Sequence, residues 1–259
     1  MINTELTMNN CVFNDNGTIS DKAAIEVGND YNTSYKLIVN NATVNGFDIN
    51  PKGINTGSTL WANKNSMPAD KLIVTIDGLT WKGNGLFVDA EGNPTVSSQE
   101  ALNKAAETAS EITLLAGSYT MPATNGKDIT IIGSRDVVLT VSKPNMSGAD
   151  VTLEGITVNG SGFATGVQHV NTVTYNNVKV VGEMCLYGEA VTFNNCEFEL
   201  ANGQYIWTYG CKNSTFNNCV FNTAGKAILV YNEGAGATNV NYLWWKQLNL
   251  QIHLLMEVE

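Results

Sequence analysis

One short segment of the sequence, YIWTYG at residues 205–210, alternates aromatic side chains with other types. In an extended strand, Tyr205, Trp207 and Tyr209 share one face because successive side chains point to opposite sides. Planar rings offer broad apolar faces on which sugar rings stack. The segment therefore indicates a carbohydrate-binding face. The alternative is that the rings fill the interior of the fold, where large side chains are normal.

Other residues extend this candidate face. Tyr187 and Tyr231 are expected on the preceding and following coils of the repeat described below. Glu197 and Glu199 carry carboxylates that accept hydrogen bonds, as a sugar hydroxyl requires. The predicted carbohydrate-binding residues are Tyr187, Glu197, Glu199, Tyr205, Trp207, Tyr209 and Tyr231.

Catalytic chemistry has less support. A glycosidase needs two carboxyl groups at a fixed separation. The acidic residues here are spaced singly, although Glu154, Glu197 and Glu199 could project from stacked outer faces. Two such carboxylates on adjacent coils would resemble a glycosidase pair. His169 and His253 are too few and too far apart for a metal site or a triad. We predict no catalytic residue, no metal site and no cofactor.

The five cysteines form an odd set without a C-x-x-C pair, which argues against a zinc site and a disulfide scaffold. We interpret them as buried thiols, inert as nucleophiles.

The composition narrows the possible partners. The net charge is −10 and Arg135 is the single arginine, so a nucleic-acid partner is excluded for lack of a positive patch. No run of eighteen apolar residues is present, so membrane insertion is not expected.

The 34 Asn and few charges are typical of exported bacterial proteins. Residues 1–20 lack the pattern of a signal peptide, so we expect the signal to lie outside this chain.

The positions of these residues depend on an internal repeat. TMNNCVF, TFNNCEF and TFNNCVF begin at residues 7, 192 and 215, and weaker copies begin at residues 38, 75, 152 and 174, with a degenerate one near residue 128. Each copy has a central pair of residues, such as Asn-Asn. In the second half of the chain the second residue of this pair falls at 133, 155, 177, 195 and 218, giving steps of 22, 22, 18 and 23. Such spacing is about one turn of a three-sided β-coil. Stacking should then bring Cys196 near Cys219, Phe193 near Phe216 and Asn194 near Asn217.

Residues 97–109, with the sequence SSQEALNKAAETA, break the strand pattern. Ser97 and Glu100 form a capping box ahead of an apolar face that includes Leu102 and Ala105. A short helix is therefore predicted near residues 98–109. Such a helix can cover an open β-helix end and prevent edge-to-edge aggregation.

This helix, followed by ITLLAGSYTMP and DITIIGS, resembles the N-terminal cap and first rungs of pectate-lyase-like right-handed β-helix proteins, over residues 94 to about 240. The resemblance implies an all-β, right-handed parallel β-helix with a capping helix. It leaves the activity open, because that superfamily includes lyases, hydrolases, adhesins and phage tailspikes. Its lyases use a basic residue and acidic calcium ligands. No acidic cluster follows Arg135 here, so Arg135 and Asp136 are interpreted as an exposed turn pair.

Three segments are predicted. Residues 1–92 form β-helix rungs, either the end of an upstream module or coils stacked on the main helix. Residues 93–240 form the capped parallel β-helix. Residues 241–259 differ in composition and form a closing strand or a tail, with a vector-derived or frame-derived origin as the alternative.

Together these features predict a secreted or cell-surface, adhesin-like module. It binds a polysaccharide or host glycan, or serves as a structural stalk, without catalysis. The first alternative is a polysaccharide lyase or glycoside hydrolase. The second is a segment of a phage tailspike or fibre.

Overall fold

The chain forms an all-β, parallel β-solenoid of about six turns, as the sequence predicts. The computed structural model describes residues 4–17, 23–28, 33–55, 57–160, 166–230 and 239–243, with the backbone alone at residues 143, 209 and 239–243. The chain divides into two compact units, residues 1–101 and 102–259. The predicted boundary at residues 92 and 93 and the predicted stacking of residues 1–92 stay predictions.

The first unit begins with coils of short parallel strands. Three sets stack in register, with β1 on β4 on β7, β2 on β5, and β3 on β6. Leu37, Val39, Val74 and Ile76 are inward residues of these strands and lie in the unit's core. The strands of this unit are β1 (Thr4–Asn9), β2 (Val12–Asn14), β3 (Ile25–Val27), β4 (Tyr35–Asn40), β5 (Thr43–Asn45), β6 (Trp61–Asn63), β7 (Leu72–Ile76), β8 (Leu79–Gly83), β9 (Leu86–Val88) and β10 (Pro94–Val96).

The copy of the repeat at residues 75–81 folds differently from the others. Asp77 and Gly78 both have positive φ, 46° and 85°. Two such residues in succession make the tight turn that joins antiparallel strands. Accordingly β8 turns back antiparallel on β7, and β9 and β10 continue as an antiparallel meander.

The predicted helix is confirmed as α1 (Gln99–Thr108). Its start differs from the predicted capping box, because the hydroxyl of Ser98, not that of Ser97, accepts a hydrogen bond from the backbone N–H of Ala101 at 3.1 Å. Glu100 instead accepts a 3.4 Å hydrogen bond from the side chain of Asn84. Two consecutive serines made the capping position ambiguous in the sequence, and the backbone places the second one there.

The second unit is a stack of parallel strands. Its strands are β11 (Glu111–Leu114), β12 (Gly117–Thr120), β13 (Ile129–Ile132), β14 (Val137–Thr140), β15 (Ser142–Asn145), β16 (Asp150–Glu154), β17 (Thr157–Asn159), β18 (Gly166–Gln168), β19 (Thr172–Asn176), β20 (Lys179–Val181), β21 (Met184–Asn194), β22 (Glu197–Leu200), β23 (Ile206–Asn217), β24 (Val220–Thr223), β25 (Ile228–Leu229) and β26 (Asn239–Leu243). In this unit the first sheet runs in the order β11, β13, β16, β19, β21, β23, and the second sheet runs in the order β12, β14, β17, β20, β22, β24. A smaller sheet pairs β15 with β18.

Aromatic rings stack inside this second unit along successive coils. The ring centroids of Tyr175 and Phe193 are 4.5 Å apart, and those of Phe193 and Phe216 are 5.0 Å apart, both pairs nearly parallel. Phe198 and Phe221 stack in the same way at 4.4 Å. The predicted neighbours Phe193 and Phe216 are therefore confirmed, and the coils lie in register.

Asparagines form the corners that follow β19, β21 and β23. Asn177, Asn195 and Asn218 have φ between 52° and 55°, a left-handed conformation that Asn tolerates better than most residues. The preceding asparagines bond along the stack, since the amide of Asn217 donates to Asn194 Oδ1 at 2.8 Å and the amide of Asn194 donates to Asn176 at 2.9 Å. The predicted proximity of Asn194 and Asn217 is confirmed.

The cysteines divide into two groups. Cys185, Cys196 and Cys211 are buried as predicted, but Cys11 and Cys219 are partly exposed. Cys11 lies in the first described coil and Cys219 in the last coil of the second sheet, where less of the stack covers them. Cys196 and Cys219 are neighbours, and the Cys219 side chain hydrogen-bonds the Cys196 thiol.

Candidate functional site

Two aromatic rings mark the outer surface at the start of β23. Ile206 and Thr208 are fully buried, so Tyr205 and Trp207 alternate with them on the outer face and are half-buried. Their ring centroids are 4.9 Å apart and their planes differ by 26°. We call Tyr205 and Trp207 the aromatic platform. Their arrangement agrees with the predicted shared face and differs from the alternative of an interior stack.

Charged residues from the coils on either side flank the platform. Trp207 Nε1 donates a hydrogen bond to Glu183, which precedes β21. Lys226, ahead of β25, holds its ammonium 4.8 Å from the centroid of the Tyr205 ring, an attractive cation–π geometry. Burial raises the pKa of Tyr205, and the nearby Glu183 carboxylate raises it further. Three successive coils thus contribute to one outer surface.

Sequence reasoning missed Glu183 and Lys226 as members of this site. Each stands about one repeat from the aromatic segment, 22 residues before Tyr205 and 21 after it. The signal that could have identified them is this spacing, because residues one coil apart lie beside each other in an in-register stack.

The remaining predicted tyrosines have different outcomes. Tyr187 is half-buried, and its ring lies so close to Gly210 that a Cβ there would be 2.6 Å from Tyr187 Cδ1. The same ring lies against Gly166 on the other side. Tyr209 belongs to β23, but its side chain lies outside the described part, as does all of Tyr231.

A groove of about 740 Å³ runs along the second sheet. Glu183 follows the groove residue Gly182 in the sequence, and Tyr205 follows the groove residue Gln204. A Cβ at Gly182 would lie 2.5 Å from the carbonyl oxygen of Gly160, which is too close for a side chain. Backbone atoms therefore line the groove where these two coils meet. The groove is lined by Thr140, Asn159, Gly160, Val181, Gly182, Glu199, Leu200, Ala201 and Gln204.

The predicted residues Glu197 and Glu199 lie together on the outer face of β22. Lys179 on the neighbouring strand approaches both carboxylates, at 3.8 Å from Glu197 and 3.5 Å from Glu199. The amide of Asn222 donates to Glu199 at 2.9 Å. Glu199 lines the groove, so this carboxylate is held in place by its neighbours and faces the space available to a ligand.

These carboxylates suit binding better than acid catalysis. The hydrogen bond from Asn222 lowers the pKa of Glu199, and Glu197 and Lys179 lower it further. A general acid in a glycosidase needs a raised pKa so that it holds a proton near neutral pH. Glu199 is therefore ionised at neutral pH and acts as a hydrogen-bond acceptor.

Two buried thiols, Cys196 and Cys211, are similarly unsuited to nucleophilic chemistry. Burial raises the pKa of Cys211 to about 11. The hydrogen bond that the Cys196 thiol donates to Cys219, together with burial, raises the pKa of Cys196. Since the thiolate is the reactive form, neither side chain is activated for attack on a substrate.

The other residues considered for chemistry lie apart from the groove's lining. Arg135 and Asp136 are exposed in the turn ahead of β14, as predicted. His169 has a φ of 51° in the turn after β18, and His253 lies outside the described residues. Within the described ranges, no group of three or more His, Cys, Asp or Glu side chains is placed to hold a metal ion.

No helix among the described residues is both long and apolar enough to cross a membrane. Comparison with family models, curated proteins and solved structures finds no match for this chain.

Proposed function

We propose that this protein binds an extended carbohydrate along the groove and the aromatic platform, and releases it chemically unchanged. The single observation that carries this proposal is the stacked pair of half-buried outer rings, Tyr205 and Trp207, of which Tyr205 directly follows the groove residue Gln204. A sugar ring presents apolar C–H groups to an aromatic face and hydroxyls to the polar groups around it.

The groove supplies the polar contacts that such a ligand needs. Asn159 and Gln204 carry amides that both donate and accept hydrogen bonds, Thr140 carries a hydroxyl, and Glu199 is an acceptor with a lowered pKa. Glu183 holds Trp207 by its indole N–H, which fixes the ring before a ligand arrives. A ring fixed in advance loses less conformational freedom on binding.

The cellular role that we propose is that of a secreted or cell-surface, adhesin-like module with a right-handed, pectate-lyase-like β-helix. The resemblance of residues 94–240 to that superfamily supports this role. The Asn-rich and charge-poor composition also supports it, since such a surface is typical of exported proteins. Its partner is a polysaccharide or a host glycan.

The experiment is a glycan array followed by calorimetric titration of the strongest ligand. The variant Trp207→Ala should weaken binding about tenfold or more, since a lost ring contact corresponds to ~1.5 kcal/mol. The matched control is Lys212→Ala, which truncates an exposed side chain of the same strand that pairs with Glu189 outside the groove. Equal affinity of wild type and Trp207→Ala would refute the proposed site.

An assay for reducing ends and unsaturated products on the same ligand separates binding from turnover. We expect no product from the bound glycan. Released product would replace the proposal with a lyase or hydrolase. Failure to bind any glycan on the array would leave the structural stalk as the better account.

A further inference from the structure

We propose that Cys196 and Cys219 are the site of an oxidative modification, a disulfide bond that joins two successive coils of the second unit. The two residues occupy the same corner position, each directly after a corner asparagine and directly before a strand of the second sheet. Both thiols are free in this structure. The bond is independent of carbohydrate binding, because it concerns how the coils are held together.

The register of the coils places the two cysteines side by side. Before the corner β21 pairs with β23, after it β22 pairs with β24, and on both sides the partners are 23 residues apart. The N–H of Val220 donates to the carbonyl oxygen of Cys196 at 2.9 Å, which fixes the two corners against each other. Neighbouring strands are about 4.8 Å apart, and this separation lies within the range of about 4.4 to 6.8 Å that the Cα atoms of a disulfide span.

The two sulfur atoms are also in contact, and they differ in reactivity. Cys219 Sγ lies 3.5 Å from the carbonyl oxygen of Phe193, which belongs to the coil of Cys196. The Cys196 thiol donates a hydrogen bond to Cys219, and this bond is the largest cause of the lowered pKa of Cys219. The thiolate is the reactive form, and Cys219 is partly exposed whereas Cys196 is buried. Cys219 is therefore the sulfur that reacts first.

The oxidant is a small-molecule disulfide such as oxidised glutathione. The Cys219 thiolate attacks one sulfur of this reagent, the S–S bond of the reagent breaks, and one glutathione leaves and takes up a proton. Cys196 then gives its proton to solvent and attacks the Cys219 sulfur of the mixed disulfide, which releases the second glutathione. Two cysteine thiols are oxidised, and one glutathione disulfide is reduced to two thiols. Exported proteins meet oxidising surroundings, so the cellular role proposed above supplies such an oxidant.

The other three cysteines have no thiol opposite them in the described coils. Cys11 stands opposite Ala42, as the pairings on both sides of that corner require. Cys185 stands opposite Trp207, so it misses Cys211 on the same neighbouring strand. The structure therefore predicts one specific bond.

The first test is disulfide mapping of the folded chain after incubation with oxidised glutathione. A Cys11→Ser background removes the other partly exposed thiol. The intact mass should fall by two hydrogen atoms, and digestion without reduction should yield one linked pair of peptides that carries Cys196 and Cys219. An unchanged mass, or a link between other cysteines, would overturn the proposal.

Alanine variants in the same background test the order of the two steps. Cys196→Ala should retain one glutathione on Cys219, because the thiol that releases it is gone. The matched variant Cys219→Ala should take up no glutathione, since the buried Cys196 is left without the thiol that reacts first. A glutathione retained when both cysteines are present would show that Cys196 does not reach Cys219, and would refute the bond.

The second test compares the stability of the linked and the reduced forms by urea unfolding. A bond that closes a loop of this length should lower the equilibrium constant for unfolding about a hundredfold. The Cys219→Ala variant, treated in the same way, is the control and should not respond to the oxidant. Equal stability of the linked and the reduced forms would contradict a bond between coils in their native register.

Discussion

At the scale of single residues, Asp150 connects three coils through its carboxylate and backbone. Its Oδ1 accepts hydrogen bonds from the Thr172 hydroxyl at 2.7 Å and the Asn171 amide at 2.8 Å, and its N–H donates to Asp128 at 2.9 Å. These bonds to the charged form lower the pKa of Asp150 from its ordinary value of 3.8, with the Thr172 bond the largest cause. A lowered pKa in the folded state means that the contribution to stability is present above the unfolded pKa.

The consequence is a loss of stability on acidification. As the pH falls below 3.8 and through the folded pKa, protonation removes the contribution of Asp150. The variant Asp150→Asn should therefore show a smaller fall in its urea midpoint between neutral and strongly acidic pH than wild type. Glu107→Gln, which removes an exposed carboxylate on α1, is the control and should follow wild type. An unchanged pH dependence in Asp150→Asn would show that these hydrogen bonds contribute nothing.

The residue scale also shows what composition can and cannot predict. Asn is abundant in this sequence and tolerates a positive φ, and Asn177, Asn195 and Asn218 adopt it at their corners. Asp77–Gly78 occupies the same position in a copy of the repeat, yet makes a hairpin instead of a corner. The difference lies in the first residue of the pair, because Asp77 takes a positive φ, which the matching Asn176, Asn194 and Asn217 do not. Two positive φ values in succession reverse the chain.

At the scale of elements, variants of Ser97 and Ser98 distinguish which serine caps the start of α1. Removing an N-cap side chain costs about 1 kcal/mol. Ser98→Ala should therefore destabilise the protein by about that amount, since its hydroxyl bonds both the Ala101 N–H and the Asn84 carbonyl. Ser97→Ala should be near neutral, because the buried Ser97 hydroxyl has no hydrogen-bond partner among the described residues. Denaturant melts of both variants measure the difference, and a larger loss for Ser97→Ala would reverse the assignment.

Register between elements explains why part of the site was predictable. Alternation alone placed Tyr205 and Trp207 on one face of β23, because a strand has a period of two residues. Glu183 and Lys226 belong to other coils. Their placement depends on the length of each coil, and the central pairs of successive coils are 18 to 23 residues apart. An uncertainty of one residue in a loop moves a side chain to the opposite face, so these partners required the structure.

At the scale of the whole molecule, the fold was predictable because the same motif recurs in successive coils. Each copy carries inward apolar residues on both sides of a corner, and like residues stack on like, as with Tyr175, Phe193 and Phe216. The activity was not predictable from the repeat itself. Apolar residues that recur at the same position of successive coils identify the core. The aromatic platform occurs once in the described coils, so the repeat does not predict it.

The register of the coils assembles both the groove and the platform. The most direct measurement is the dipolar interaction between nitroxide labels at Thr174→Cys and Thr215→Cys, in a background with Cys11 and Cys219 replaced by alanine. These half-buried outer positions are two strands apart, through Thr192, so their backbones should lie about 10 Å apart. If the coils lie in register, the spectrum of the doubly labelled protein should be strongly broadened relative to the spectra of the two singly labelled proteins. A spectrum equal to the sum of the single ones would contradict it.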